Sequence, residues 1–373
     1  MLLISICTIL MLIGFLAASN RQYVIQLDNG EMRRRLQKTN AIFLAGVLIV
    51  VSTLRYGFVD TYAYKIMYTT ARNNWNYIFT GADWGIETGW LFLNYILNYV
   101  SKSPKLILFL SALVINLAYV KSVQRYSEDA CLSFFLYFCL IYLDTNNGLR
   151  QMVAAAIVML ALPLLERKKY LPFAFWILVA YQMHNSAIVW FVIALAVVGE
   201  PFNIRTKAAL GIGILFLFTP GTVTGLIDTA LEDSQYNYYL DMRGGMRFAR
   251  ALVTGIVPGI FSYLFYRKRK KLGTLVSQDA LIFNLTIINT IFVLMGTYMQ
   301  YWNRFSFYTF FAMVSIMPRA VREVVGDDTY HRIVRPVMLL LYFAYFCYNI
   351  FANSGLPGAS SNSLQQFYIE WWC

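Results

Sequence analysis

Charge is what this chain has least of. Only 13% of its 373 residues are Asp, Glu, Lys or Arg, against 59% that are apolar, and mean hydropathy is +0.54. A soluble fold cannot hide that much apolar surface, whereas a polytopic membrane protein leaves it facing lipid. Histidine is scarcer still: there are two, and no pair stands at metal-ligand spacing, so the sequence predicts neither a metal nor a cofactor. The cysteines build no disulfide framework, because Cys7, Cys131, Cys139 and Cys347 fall inside apolar runs and Cys373 ends the sequence. Walker A loops, dinucleotide fingerprints and Gly-x-Ser-x-Gly elbows are all missing. The net charge of +12 is then read as topogenic charge in cytoplasmic loops, and nucleic acid is not expected as a partner.

What is present is a series of apolar runs. About twelve spans are predicted, over 1–19, 40–54, 105–120, 130–143, 149–165, 170–182, 185–199, 207–219, 249–266, 280–298, 305–318 and 336–352. The first lacks a basic leader and is read as a retained helix. With the amino terminus outside, the inner loops hold 21 of the 31 Lys and Arg, including Arg33-Arg34-Arg35 and Arg267-Lys268-Arg269-Lys270-Lys271. Acids divide 10 inside and 9 outside, giving +11 against +1. That is the positive-inside asymmetry. It requires residues 86–100 to stay outside as an interfacial or re-entrant helix. The prediction is an all-α polytopic protein, a single membrane domain over 1–373, with outer loops 56–104 and 220–248 covering any site.

No predicted span carries an ionisable residue near its middle, which argues against ion-coupled transport. Ionisable groups collect instead at the outer rim: Arg55, Asp60, Glu87, Arg150, His184, Arg247, Arg250 and Arg304. Arg150, His184, Arg247, Arg250 and Arg304 stand where predicted spans begin on that side. A cation there opposes the helix dipole, so structure alone explains it poorly, whereas free N–H groups plus an arginine fork suit phosphate oxygens. Blander readings compete. Arg55, at a helix C-terminus, fits dipole complementarity and snorkelling. Asp60 fits a simple partner for Arg55, and His184-Asn185-Ser186 fits a capped helix start. The aromatics of the first outer loop (Tyr62, Tyr64, Trp75, Tyr77, Trp84, Trp90) fit an interfacial belt as well as a sugar platform.

The order Arg55-Tyr-Gly-(x)₂-Asp60-(x)₃-Tyr64, Glu87-Thr-Gly-Trp-Leu-Phe-Leu-Asn94, Arg150-Gln151, His184-Asn185-Ser186 and Asn303-Arg304-(x)₃-Tyr308 resembles the EpsG family of Wzy-type exopolysaccharide and O-antigen polymerases. Val59 stands where a second glycine is common, and Thr88 where the family often has Pro. The resemblance implies a metal-independent, GT-C-like glycosyltransferase of the bacterial inner membrane with its site facing the exterior. It would transfer a glycan from undecaprenyl pyrophosphate to a sugar hydroxyl of another lipid-linked repeat unit. Membrane lipids and a chain-length regulator protein are the other partners it suggests. On this reading Arg55, Arg150, Arg304 and Arg247 bind the pyrophosphate. His184 is the first candidate base, with Asp60 and Glu87 behind it. Tyr64, Gln151, Tyr236, Tyr239 and Tyr308 line the sugar site. An O-antigen ligase-like transferase or a lipid-linked oligosaccharide flippase remains an alternative.

Overall fold

The computed structural model describes residue 14 and residues 22–26, 32–55, 60–72, 74–82, 85–219 and 248–353. The predicted first span apart from Gly14, the stretch Tyr56–Val59, and loop residues 220–247 with Tyr236, Tyr239 and Arg247 lie outside the described residues. Among the described residues the fold is helical except for one antiparallel hairpin, β1 (Gln22–Gln26) and β2 (Met32–Leu36), which falls in the predicted first inner loop.

Several helix ends have a local reason. Helix α1 (Lys38–Leu54) stops where Arg55 turns extended (φ −62°, ψ 131°). Three shorter helices follow: α2 (Thr61–Thr70), α3 (Tyr77–Ala82) and α4 (Thr88–Val100). After α5 (Lys105–Tyr126), Asp129 caps α6 (Ala130–Leu140) by accepting the Leu132 N–H at 3.0 Å. The predicted span 130–143 breaks at Ile141 into α6 and the single turn α7 (Tyr142–Thr145). Gly148 takes the left-handed conformation (φ +58°) that lets α8 (Leu149–Glu166) start at a sharp angle. Then come α9 (Tyr170–Tyr181), a 3₁₀ turn (Asn185–Ile188) running into α10 (Val189–Val197), and α11 (Ile204–Phe218), capped by Asn203 through the Arg205 and Thr206 N–H groups. The rest is α12 (Phe248–Leu272), α13 (Ser277–Gly296), α14 (Gln300–Ser306), α15 (Phe310–Val325) and α16 (Arg335–Asn353).

Helices α5, α8, α12 and α13 are long and apolar enough to cross a membrane, and α1, α6, α9 and the 185–197 segment are apolar but shorter. Helix α13 is the most enclosed of the four long ones, with 78% of its apolar window buried, against 33% for α12. Large apolar side chains crowd the outside, among them Leu171 (83% exposed), Phe218 (82%) and Leu340 (68%). A protein in water would be penalised for that surface, and a lipid-facing one is not.

The bundle has two polar ends, named here for Arg150 and Arg319. Helix α5 finishes beside Glu128, which pairs with Arg322, so its Lys105 start lies at the Arg150 end. Helix α4 starts beside Arg150, through Glu87, and runs into that Lys105 start, so it does not cross. At 13 residues it is also too short to do so. The segment expected as an interfacial helix near 86–100 is thus a short helix confined to one end of the bundle. With α2 and α3 it forms a cap that has its own small core of Ala71, Tyr77, Ile78 and Leu91.

The Arg319 end is knitted by ion pairs. Arg319, 2% exposed, sits between Glu128 (2.6 Å), Asp279 (2.5 Å) and Glu323 (3.3 Å). Arg322 reaches Glu128, Arg269 reaches Glu323, Arg125 reaches Glu166, and Arg335 reaches Asp129 at 2.6 Å. Reading these arginines as topogenic charge alone misses their structural task. The apolar run ends at Pro318, but the helix continues through it to Val325 and buries Arg319.

Candidate active site

The Glu87-Thr-Gly-Trp stretch anchors the cap. Glu87 Oε1 accepts the Asn185 backbone N–H at 2.9 Å, and Oε2 is in an ion pair with Arg150. Trp90, fully buried, donates its backbone N–H to Gln182 O at 3.0 Å. Between them, a Cβ on Gly89 would lie 2.7 Å from Gln182 O, a distance no side chain tolerates. The glycine is thus required by close approach of two backbones. One carboxylate, one glycine and one N–H bolt α4 to the turn that carries His184.

Arg55 is 2% exposed yet has no carboxylate partner among the described residues. Its Nε donates to Thr61 Oγ1 at 3.0 Å, and its Nη1 donates to Asn146 Oδ1 at 3.1 Å and to Ser52 O, while its buried Nη2 has no hydrogen-bond partner. Among the described residues no ion pair joins it to Asp60. Asp60 sits half-buried at the N-cap of α2 without spending its side chain on a capping bond. Arg150 stands in the first turn of α8, as the helix-start argument requires, and its buried Nε also lacks a partner. Between Asp60 and Arg150 lies Tyr64, also in edge contact with Trp90 (5.8 Å between ring centroids). Burial, then the Asp60 carboxylate, pushes its hydroxyl up to about 12 against the opposing pull of Arg150.

Arg304 departs from expectation. It occupies the last turn of α14, five residues before the Thr309 cap of α15, and not the first turn of a span. A cation at a helix C-terminus complements the dipole, so the dipole argument applied to Arg304 is withdrawn. The residue still reaches the same cluster. Gln151, next to Arg150, donates Nε2 to Arg304 O at 3.0 Å. Four residues on, buried Tyr308 hydrogen-bonds Ser186 Oγ at 2.9 Å.

Ser186 in turn contacts His184 Nδ1 through its hydroxyl (2.7 Å) and its backbone N–H (3.3 Å). An amide N–H can only donate, so Nδ1 accepts and the neutral ring carries its proton on Nε2. Burial first, then the Arg150 and Arg304 cations, hold the imidazole down to about 3, far below the usual 6.5. His184 is neutral at any physiological pH.

Arg55, Asp60, Tyr64, Glu87, Arg150, Gln151, His184, Arg304 and Tyr308 therefore gather at one end, contributed by α1, the cap, α8, the 182–188 turn and the α14–α15 junction. Sequence reasoning missed Asn146 and Thr61, which hold Arg55, and Asp144, which pairs with Arg250. Asp144 was visible as an acid between two apolar runs. Asn146 looked like one more turn residue in Asn146-Asn147-Gly148.

A model of the EpsG family matches residues 39–366. The chain belongs to the EpsG family. No curated relative and no solved structure matches it. Membership of the EpsG family brings a membrane glycan-polymerase-like role in polysaccharide biosynthesis at the level of the family, and the lipid-facing apolar surface agrees with a membrane location. The match begins at the start of α1 and so includes every residue of the cluster.

Proposed function

We propose that this EpsG-family protein is a Wzy-type polymerase of GT-C-like architecture, with about twelve spans once the shorter apolar helices and residues 1–19 are counted as crossing. The Arg150 end would face the exterior of the bacterial inner membrane. The donor is a glycan on undecaprenyl pyrophosphate, and the acceptor is a sugar hydroxyl of a second lipid-linked unit. The observation that carries the reading is the convergence of Arg150 and Arg304 on one neutral histidine, with Arg55 at the same end of the bundle and guanidinium nitrogens of Arg55 and Arg150 buried and unsatisfied among the described residues. Buried cationic donors in excess of their partners suit an anion with many oxygens.

In this mechanism the acceptor oxygen attacks the anomeric carbon, and the bond from that carbon to the pyrophosphate oxygen breaks. The electron pair leaves with the pyrophosphate, whose growing charge is met by Arg150 and Arg304, with Arg55 and Arg247 in support. The tautomer of His184 favours a role other than base: its Nε2–H donates to a pyrophosphate oxygen and, being far from titration, does so at every working pH. The acceptor proton then goes to Asp60, whose carboxylate is not used by its helix. Glu87, with both oxygens engaged, holds Arg150 and the 182–186 turn at a fixed separation. Tyr64, Gln151 and Tyr308 would border the sugars, joined by Tyr236 and Tyr239.

Three asparagines within the apolar helices each bond a neighbour. Asn116 accepts from Tyr137, Asn284 donates to Val197 O and Asn289 donates to Thr254 O, which speaks against a hydrophilic path for flipping. The test is reconstitution of purified protein with lipid-linked repeat units. Longer lipid-linked products support the polymerase. Transfer to a different acceptor without elongation favours a ligase, and movement of unchanged substrate between leaflets favours a flippase.

A further inference from the structure

Helices α11, α12 and α13 enclose an apolar cavity of about 370 Å³ that opens toward the lipid-facing surface. Its floor is one stripe of α13, from Phe283 through Thr286, Ile287, Thr290 and Ile291 to Leu294. At 1.5 Å per residue that stripe is about 17 Å long, close to half of a ~30 Å hydrocarbon layer. The walls are drawn in by glycines: a Cβ on Gly213 of α11 would meet Ile291 at 2.6 Å, and one on Gly259 of α12 would meet Thr290 at 2.9 Å. Ile214 and Ile260, each 53% exposed, stand at the opening.

Two contacts tie one end of this groove to the arginine cluster. Gly296, two residues beyond Leu294, packs so tightly on Asn303 that an added Cβ would lie 2.8 Å from the Asn303 Cβ, and Asn303 precedes Arg304. Phe216, one residue before the lining Leu217, meets Trp302 in edge contact at 5.2 Å. The groove thus runs from the middle of the helices up to the turn that carries Arg304.

We propose that this groove binds the polyprenyl tail of the donor carrier, threading it from mid-membrane to its pyrophosphate at Arg304; the assignment rests on the polymerase reading. A headgroup held at Arg304 leaves its hydrocarbon chain at the groove mouth, and the groove length matches the leaflet depth that such a chain crosses. Tail contacts made equally in ground and transition states lower KM without changing kcat.

Two measurements test this in phosphatidylcholine nanodiscs. First, a photo-crosslinking amino acid at position 260 should label added undecaprenyl pyrophosphate in place of bulk phospholipid. Unchanged phospholipid labelling as the pyrophosphate is added would overturn the assignment, whatever the activity. Second, Ile214→Trp and Ile260→Trp should raise KM for a repeat unit on the full-length carrier about tenfold with kcat retained, and leave a short-chain carrier unaffected. Equal use of both carriers by the unmodified protein, or no KM change in either variant, would also overturn it. If the protein elongates neither carrier, the polymerase reading fails, and the crosslink still decides the groove.

Discussion

The two ends of this bundle treat arginine in opposite ways. At one, Arg319 is buried among three carboxylates, and Arg322, Arg335, Arg269 and Arg125 each have at least one. At the other, among the described residues, Arg55 is equally buried but is held only by neutral oxygens, and Arg150 shares a single carboxylate with a backbone N–H. Burying a guanidinium costs several kcal/mol unless charge and hydrogen bonds compensate it. A fully compensated cation is cement. One left with open donors spends folding stability on something other than folding, and that difference separates scaffold from chemistry here.

Substitutions on either side should break in different ways. The largest effect is expected for Arg319→Met, which removes the cation buried between Glu128 and Asp279. It should cost about 3–5 kcal/mol of stability, read as loss of the monodisperse species after detergent extraction and heating. Next, Arg150→Ala and Arg304→Ala should each slow polymer formation by about 10²–10³ while folded yield stays near normal. Full polymer length from both variants would remove the clamp from the mechanism. Gly89→Ala should sit between the two classes: forcing a methyl onto Gln182 O costs roughly 1–3 kcal/mol and also displaces the turn bearing His184, so yield and rate fall together.

The smallest expected effects concern His184. With Nε2–H as the working donor proposed above, His184→Gln, which keeps a donor, should be roughly tenfold more active than His184→Ala. Equal loss in both would return His184 to the role of base. Its folded pKa of about 3 lies below the unfolded 6.5, so between those values the unfolded chain binds a proton that the native one refuses. Stability from this residue is complete above about pH 6.5 and declines as pH falls toward 3. Arg304→Gln, by removing one opposing cation, should flatten that decline in a pH series of detergent-resistant unfolding.

The scaffold was legible in part because lipid exposure writes itself into composition. Runs of apolar residues marked most helices, and the charges that end those runs marked both polar ends. What a linear pattern does not carry is which way a terminal residue faces. Arg304 and Arg319 both stand just outside a predicted span boundary, at 305 and 318. The real helix began five residues later than its predicted start and ended seven residues beyond its predicted finish, so one arginine moved to a helix C-terminus and the other into the interior. Arg55 was read with Asp60 because they are five apart. In three dimensions the partner is Asn146, across 91 residues, a separation that no local pattern encodes.

The bolt between Glu87, Gly89, Trp90 and the 182–185 turn has an implication for how such proteins diversify. It ties the cap to the cationic cluster at one corner and, with the Thr61 bond to Arg55, leaves the exposed side chains of α2 and α3 with no part in aligning Arg150 against His184. Chimaeras that exchange only those exposed side chains between family members, while conserving that corner and the buried Tyr68, Tyr77 and Ile78, should trade acceptor preference without retuning the reaction itself.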